Sequence, residues 1–281
     1  MVFKNLINQF LLRSLLRICI VVLVLLVLIT IGLYFFQEKM IFYPQPITAS
    51  NAAEIKRAYP GIEEITIKAE DNIELKGWFV KPAGTDKTPL IIYFGGNAEE
   101  ASNLIHKSQE FTGCSLAIMN YRGYGLSEGT PSEKNLFKDA IIIYDYFSKR
   151  EGIDSDNIIL MGRSLGTGVA IYLATQRQAK KIILVSPYDS IVNIGQRRFP
   201  YLPVRLILKH RFDSISRAPE IKVPMLAFIA SNDVTVPPSH SLKLVQAWGG
   251  KYTVKRIPGA SHNSIDSNEL YWQSIKEFIT K

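Results

Sequence analysis

The sequence predicts an α/β domain, a mostly parallel sheet with helices on both faces, preceded by one N-terminal transmembrane helix. Three observations carry that prediction. Short apolar runs such as Leu90-Ile91-Ile92-Tyr93-Phe94 alternate with longer segments of helical period, as in sheets covered on both faces. One such run, Ile158-Ile159-Leu160-Met161, leads straight into Gly162-Arg163-Ser164-Leu165-Gly166 and then a helical pattern. Residues 18–36 are apolar apart from Thr30 and Gly32, with Tyr34 near the far end. At 1.5 Å per residue they span about 28 Å, close to the hydrocarbon core of a bilayer.

Composition bounds the rest. The chain has 281 residues, 47% apolar and 21% charged, which describes an ordered, core-forming chain. The net charge of +8 is dispersed, apart from Lys4, Arg13 and Arg17 before the apolar run and Arg197, Arg198, Arg205, Lys209 and Arg211 further on. With no basic run interleaved with aromatics, nucleic acid is not an expected partner. Weak attraction to anionic lipid is. Cys19 and Cys114 form no disulfide framework and read as buried apolar residues.

Taken in order, residues 1–17 are a short basic segment, 18–36 the membrane anchor and 37–59 a stiff tether carrying Pro44 and Pro46. Positive residues before the anchor place the N-terminus in the cytoplasm and the domain across the membrane. The competing reading is a cleaved signal peptide with Thr30-Ile31-Gly32 as its site, against which Leu33, Tyr34, Phe35 and Phe36 continue the apolar run. The domain proper covers 60–281. It opens with an antiparallel hairpin over 63–68 and 73–80, followed by strand 90–94 and a helix over 99–111. Strand 115–119, helix 135–149, the turn at Ser164 with its helix to about 178, and strand 182–185 come next. Four prolines then break the pattern over 187–219, a lid-like insertion with a short helix at 204–209. Strand 225–230, helix 239–248, strand 252–257 and helix 270–280 close the chain.

A serine on a strand–turn–helix is pushed out of the sheet edge, but its hydroxyl needs a base and an orienting carboxylate. Of four histidines, His262 alone sits in a loop after the last strand, where the chain order Ser, acid, His wants it. Asp233 follows strand 225–230 directly and points into the crevice at its carboxyl end. Asp189 is the rival acid, or with Ser190 a helix cap. The amides of Leu165 and Asn97 are the expected oxyanion donors, with Ala98 second to Asn97.

Phe42-Tyr43-Pro44, Gly96-Asn97-Ala98, the run Tyr121-Arg122-Gly123-Tyr124-Gly125-Leu126-Ser127-Glu128-Gly129, Gly162–Gly166, Ser231-Asn232-Asp233 and Gly259-Ala260-Ser261-His262-Asn263 occur in that order. Together they resemble the α/β-hydrolase superfamily, most of all its membrane-anchored branch of BEM46-like and ABHD13- and ABHD17-type proteins. The resemblance implies an α/β-hydrolase fold with Ser164, Asp233 and His262 as a catalytic triad. Two positions depart from the family pattern. Gly95 stands where a His usually precedes Gly-Asn, and Asn120 where an Asp usually precedes Tyr-Arg-Gly.

The expected activity is hydrolysis of an acyl ester or thioester of a small or lipid-like substrate, with no metal or organic cofactor. A prolyl-oligopeptidase-like peptidase and a catalytically silent tethered domain are the alternatives.

Overall fold

The computed structural model describes residues 2–82, 84 and 86–280, without the side chains of Val2, Lys4, Asn5 and Leu6. The expected role of the Lys4 charge therefore lies outside the described residues. Helix α1 (Val2–Ile41) runs unbroken through the apolar stretch. Residues 7–41 are long and apolar enough to cross a membrane, and none of the most apolar window is buried against protein. Cys19 is correspondingly exposed, which corrects the reading of it as a buried residue. It faces outward simply because a helix apolar all round has no protein core to turn toward.

After Ile41 the chain is extended to Thr48, which caps α2 (Ala49–Ala58) in a reciprocal capping box with Asn51. The sheet is built from β1 (Ile62–Lys68), β2 (Glu74–Val80), β3 (Thr88–Phe94), β4 (Ser115–Met119), β5 (Ile153–Arg163), β6 (Lys181–Val185), β7 (Met225–Ala230) and β8 (Tyr252–Ile257). Their order is β1-β2-β4-β3-β5-β6-β7-β8, antiparallel at β1-β2-β4 and parallel from there on. Alternation along each central strand divides the core. Leu90, Ile92 and Phe94 join one hydrophobic cluster, Ile91 and Tyr93 the other.

The first face is covered by α3 (Glu133–Ser148), α4 (Leu165–Gln176) and, after the insertion, α8 (Pro238–Gln246). The second is covered by α9 (Glu269–Thr280) and a 3-10 segment, Ala101–Glu110. That 3-10 segment replaces the α-helix expected over 99–111. It carries Ser102, Asn103, His106 and Ser108, weak helix formers, and only Ala101 and Ile105 are buried to hold a regular helix.

The insertion contains α5 (Ile191–Arg198), α6 (Val204–Ile207) and α7 (Ser214–Arg217). The sequence pattern anticipates α6 and, in the alternative reading of Asp189 and Ser190 as a helix cap, the start of α5. Ser190 caps α5 by accepting from the Asn193 N–H at 3.0 Å. The insertion grips α1 through Gln37, whose amide nitrogen donates to Ile207 O at 3.2 Å while its oxygen accepts from the Lys209 N–H at 2.7 Å.

Candidate active site

Ser164 occupies the turn between β5 and α4 with φ 49° and ψ −117°, a conformation costing roughly 1–3 kcal/mol in a non-glycine residue. Two glycines make the turn possible. A Cβ on Gly162 would lie 2.4 Å from the Gly166 carbonyl oxygen, and one on Gly166 would lie 2.0 Å from that of Phe94. The Ser164 N–H is fixed to Val185 O at 2.8 Å, so β6 holds the turn from the other side.

Asp233 sits just past β7 and is nearly fully buried. One carboxylate oxygen accepts from the Thr235 and Val236 amides at 2.9 and 2.7 Å, and the other meets His262 Nδ1 at 2.7 Å. Burial opposes its ionisation, but the His262 ring and the Val236 amide outweigh that, and the carboxyl is held below its ordinary value. An ionised carboxylate only accepts, so His262 carries its proton on Nδ1. Nε2 is left to accept from Ser164 Oγ at 2.9 Å. The loops bearing Asp233 and His262 are joined as well: Asn232 N–H donates to Ala260 O at 2.9 Å and Gly259 N–H to Ser231 Oγ at 2.8 Å.

The rival acid is engaged elsewhere. Asp189 is fully buried against His240, Nδ1 to Oδ1 at 2.8 Å, and also accepts from Asn193 and the Ser190 amide. His106 lies in the 3-10 segment, and His210 in the insertion near Glu38.

Asn97 and Leu165 line the same crevice as Ser164, and among the described residues neither amide donates to a protein acceptor. The loop carrying Asn97 is held by groups that sequence reasoning passes over. Glu99 accepts from Gly96 N–H at 2.9 Å and from Tyr93 Oη at 2.7 Å, and faces Arg163 at 3.5 Å. Tyr121 donates to Gly95 O at 2.9 Å, and Tyr124 to Asn97 O at 2.6 Å. The Tyr43 N–H reaches that same Asn97 oxygen at 3.0 Å, so the chain leaving α1 braces the loop. Glu99 and the two tyrosines support the loop although Gly95 has no side chain. The only visible signal was the spacing Tyr121-x-x-Tyr124. Nothing in the sequence alone marked Glu99.

The second departure has its own partner. Asn120 donates from Nδ2 to the buried Glu100 at 2.9 Å and accepts from Ala101 N–H at 2.9 Å. An Asp here would set two carboxylates against each other, which explains the Asn in chemical terms. Among the described residues no group of three or more His, Cys, Asp or Glu side chains could hold a metal ion.

The sheet order and the crevice at the carboxyl ends of its strands define the α/β-hydrolase fold. Over most of its length the chain is similar to α/β-hydrolase domain-containing proteins. The serine aminopeptidase S33 family model matches residues 85–212. An uncharacterised Mycobacterium tuberculosis protein is 29% identical over 249 residues, covering 87% of this chain and 88% of its own length. The α/β-hydrolase domain-containing protein WAV2 of Arabidopsis thaliana is 28% identical over 88% of each chain, and an uncharacterised membrane protein of Saccharomyces cerevisiae 29% over 88% and 90%. Among solved structures, a Pyrococcus furiosus esterase superposes with a TM-score of 0.67 at 19% identity, covering 85% of this chain and 97% of its own.

Proposed function

We propose that the protein is a membrane-anchored serine hydrolase that cleaves acyl esters or thioesters through Ser164, His262 and Asp233. The observation that carries the reading is the continuous hydrogen-bonded series from Asp233 through His262 to Ser164, on a strained turn beside two unpartnered amides. Ser164 Oγ attacks the acyl carbonyl as its proton passes to His262 Nε2. Asp233 holds the ring in the Nδ1–H tautomer and stabilises the imidazolium. The amides of Leu165 and Asn97 receive the tetrahedral oxyanion, each worth about 3–4 kcal/mol if well placed. His262 then gives its proton to the leaving group and activates the water that releases the acid.

The matched family name raises an aminopeptidase as the second reading. Such an enzyme needs a carboxylate for the substrate ammonium. Among the crevice-lining residues described, Asp233 is the sole acid and both of its oxygens are engaged, while Arg197 and Arg198 stand at the rim. That favours an acyl substrate. Arg13 and Arg17 before the apolar run support an N-terminus in the cytoplasm and a domain on the extracytoplasmic side. The test is hydrolysis of p-nitrophenyl butyrate and of an alanyl-p-nitroanilide by the full chain, with Ser164→Ala as blank. Ester turnover absent from Ser164→Ala is expected. Equal turnover by Ser164→Ala, or turnover of the anilide in preference to the ester, contradicts the reading.

A further inference from the structure

The crevice above Ser164 is a cavity of about 900 Å³, at the large end for a single-ligand site. One of its walls is the membrane helix itself. Leu33, Gln37, Met40 and Ile41 line it, and their spacing of four, three and one residues sets them on one face of α1. The facing wall comes from the insertion, through Ile191 and Ile194 of α5 and Val204 and Ile207 of α6. Gln37 is polar but brings no free group into the cavity, because both ends of its amide are taken by Tyr34, Ile207 and Lys209. Apart from Ser164, Asp233 and the arginines at its rim, the cavity is lined mostly by apolar side chains and prolines.

Position relative to the bilayer gives this lining its meaning. Leu33 lies inside the apolar run, one residue before the aromatic cluster Tyr34, Phe35 and Phe36 that marks a membrane interface. The insertion meets the helix at this level: Lys209 Nζ lies 4.7 Å from the Tyr34 ring centre. Its outer surface pairs exposed apolar side chains, Tyr201 at 88% and Leu206 at 85% exposure, with Arg198, Arg205 and Arg211. That is the composition of a surface resting on anionic headgroups.

We propose that the end of the membrane helix, Leu33 to Ile41, is one wall of the acyl pocket, and that the substrate is the long-chain ester of a bilayer lipid whose chain enters between this helix and the insertion. The inference rests on the serine-hydrolase reading and names its substrate. Water adds across the ester C–O bond, and a fatty acid and the lipid alcohol leave. The basic rim favours the anionic headgroup of a glycerolipid such as phosphatidylglycerol over the peptide of an acylated protein. The anchor is then part of the binding site, so a form lacking residues 1–41 would lose chain-length selectivity as well as attachment.

The test uses the full chain in lipid nanodiscs with p-nitrophenyl esters from butyryl to decanoyl. Each rate is taken as the ratio of variant to wild type at one chain length, so that partitioning into the disc cancels. Met40→Asp, at a half-exposed position beyond the apolar run, should make this ratio fall about fifteenfold across the series, the worth of two buried methylenes at about fourfold each. Leu33→Trp, which fills the wall without adding charge, should shift the preferred chain to a shorter length. A flat ratio for both variants, with wild type active, overturns the pocket assignment. Inactivity of wild type toward every ester, or equal rates in Ser164→Ala, refutes the hydrolase reading instead. In the same discs, a lysophosphatidylglycerol should be cleaved faster than an S-acylated peptide of equal chain length, and the reverse order overturns the choice of lipid.

Discussion

Glu99→Gln tests how the loop carrying Asn97, the proposed oxyanion donor, is supported. The Glu99 side chain is only 11% exposed and uses its two oxygens separately, one for Tyr93 Oη at 2.7 Å and one for Gly96 N–H at 2.9 Å. A glutamine keeps one acceptor oxygen, and its NH2 group cannot accept. One of the two donors therefore loses its bond in a half-dry setting, at a cost of about 1–3 kcal/mol. The pairing with Arg163 also goes, and Arg163 lies 3.5 Å from the His262 carbonyl oxygen, so both sides of the site loosen together. Deleting an oxyanion donor outright costs about a hundredfold to a thousandfold in kcat. Loosening the loop that carries one should cost less, about tenfold to a hundredfold, or about 1.4–2.7 kcal/mol. Steady-state kinetics on p-nitrophenyl butyrate should show the loss in kcat, with KM little changed, because the ground-state acyl contacts are elsewhere. Tyr93→Phe leaves the Gly96 bond in place and should affect kcat less. A Glu99→Gln enzyme with wild-type kcat would refute the reasoning.

Asp233→Asn should lower kcat by about four orders of magnitude, since an amide cannot hold the His262 tautomer. Asp189→Asn, whose partner is His240, should lower the melting temperature and leave kcat near wild type; comparable kcat losses in the two would undo the assignment of the acid. Gly166→Ala puts a methyl group 2.0 Å from a backbone oxygen and should cost more than the 1–3 kcal/mol typical of overpacking, visible as loss of soluble, cooperatively melting protein. Burial depresses the His210 pKa below its ordinary value, with Glu38 opposing at 3.6 Å and Lys209 assisting. The folded ring therefore binds fewer protons than the unfolded one. Its contribution to stability is present above about pH 6.5 and is lost as pH falls through the folded value. Melting temperatures between pH 7.5 and 5 should fall more steeply for wild type than for His210→Phe, and parallel slopes would refute this.

Much of this molecule was legible in the sequence because the signals were local. A strand buried on both faces reads as an apolar run, and Gly162-x-Ser164-x-Gly166 encodes a turn whose clearances no other residue meets. Asp233 and His262 could be placed because each follows a strand directly, so the sheet decides where it points. The supports of the loop carrying Asn97 are not legible in the same way. Glu99 acts on Gly96, Tyr93 and Arg163 across three different elements, and Tyr43 reaches Asn97 from just past the end of α1. Those pairings exist only once the sheet order is set. The same holds for the cavity: residues 18–36 read as an apolar run long enough to span a membrane, but nothing local says that Leu33 will line the same cavity as Ser164. The tether expected over 37–59 instead begins with helix, with Gln37 buried against the insertion, because α1 meets α6 before it ends.

Ser164 is proposed to be a nucleophile raised to reactivity by His262 and Asp233. Treating the full chain in nanodiscs with a fluorophosphonate and mapping the adduct by peptide mass spectrometry tests it most directly. One phosphonyl group per chain is expected, on Ser164, with labelling lost in Ser164→Ala and slowed by orders of magnitude in His262→Ala. An unlabelled wild-type chain, or an adduct that persists in Ser164→Ala, would contradict it.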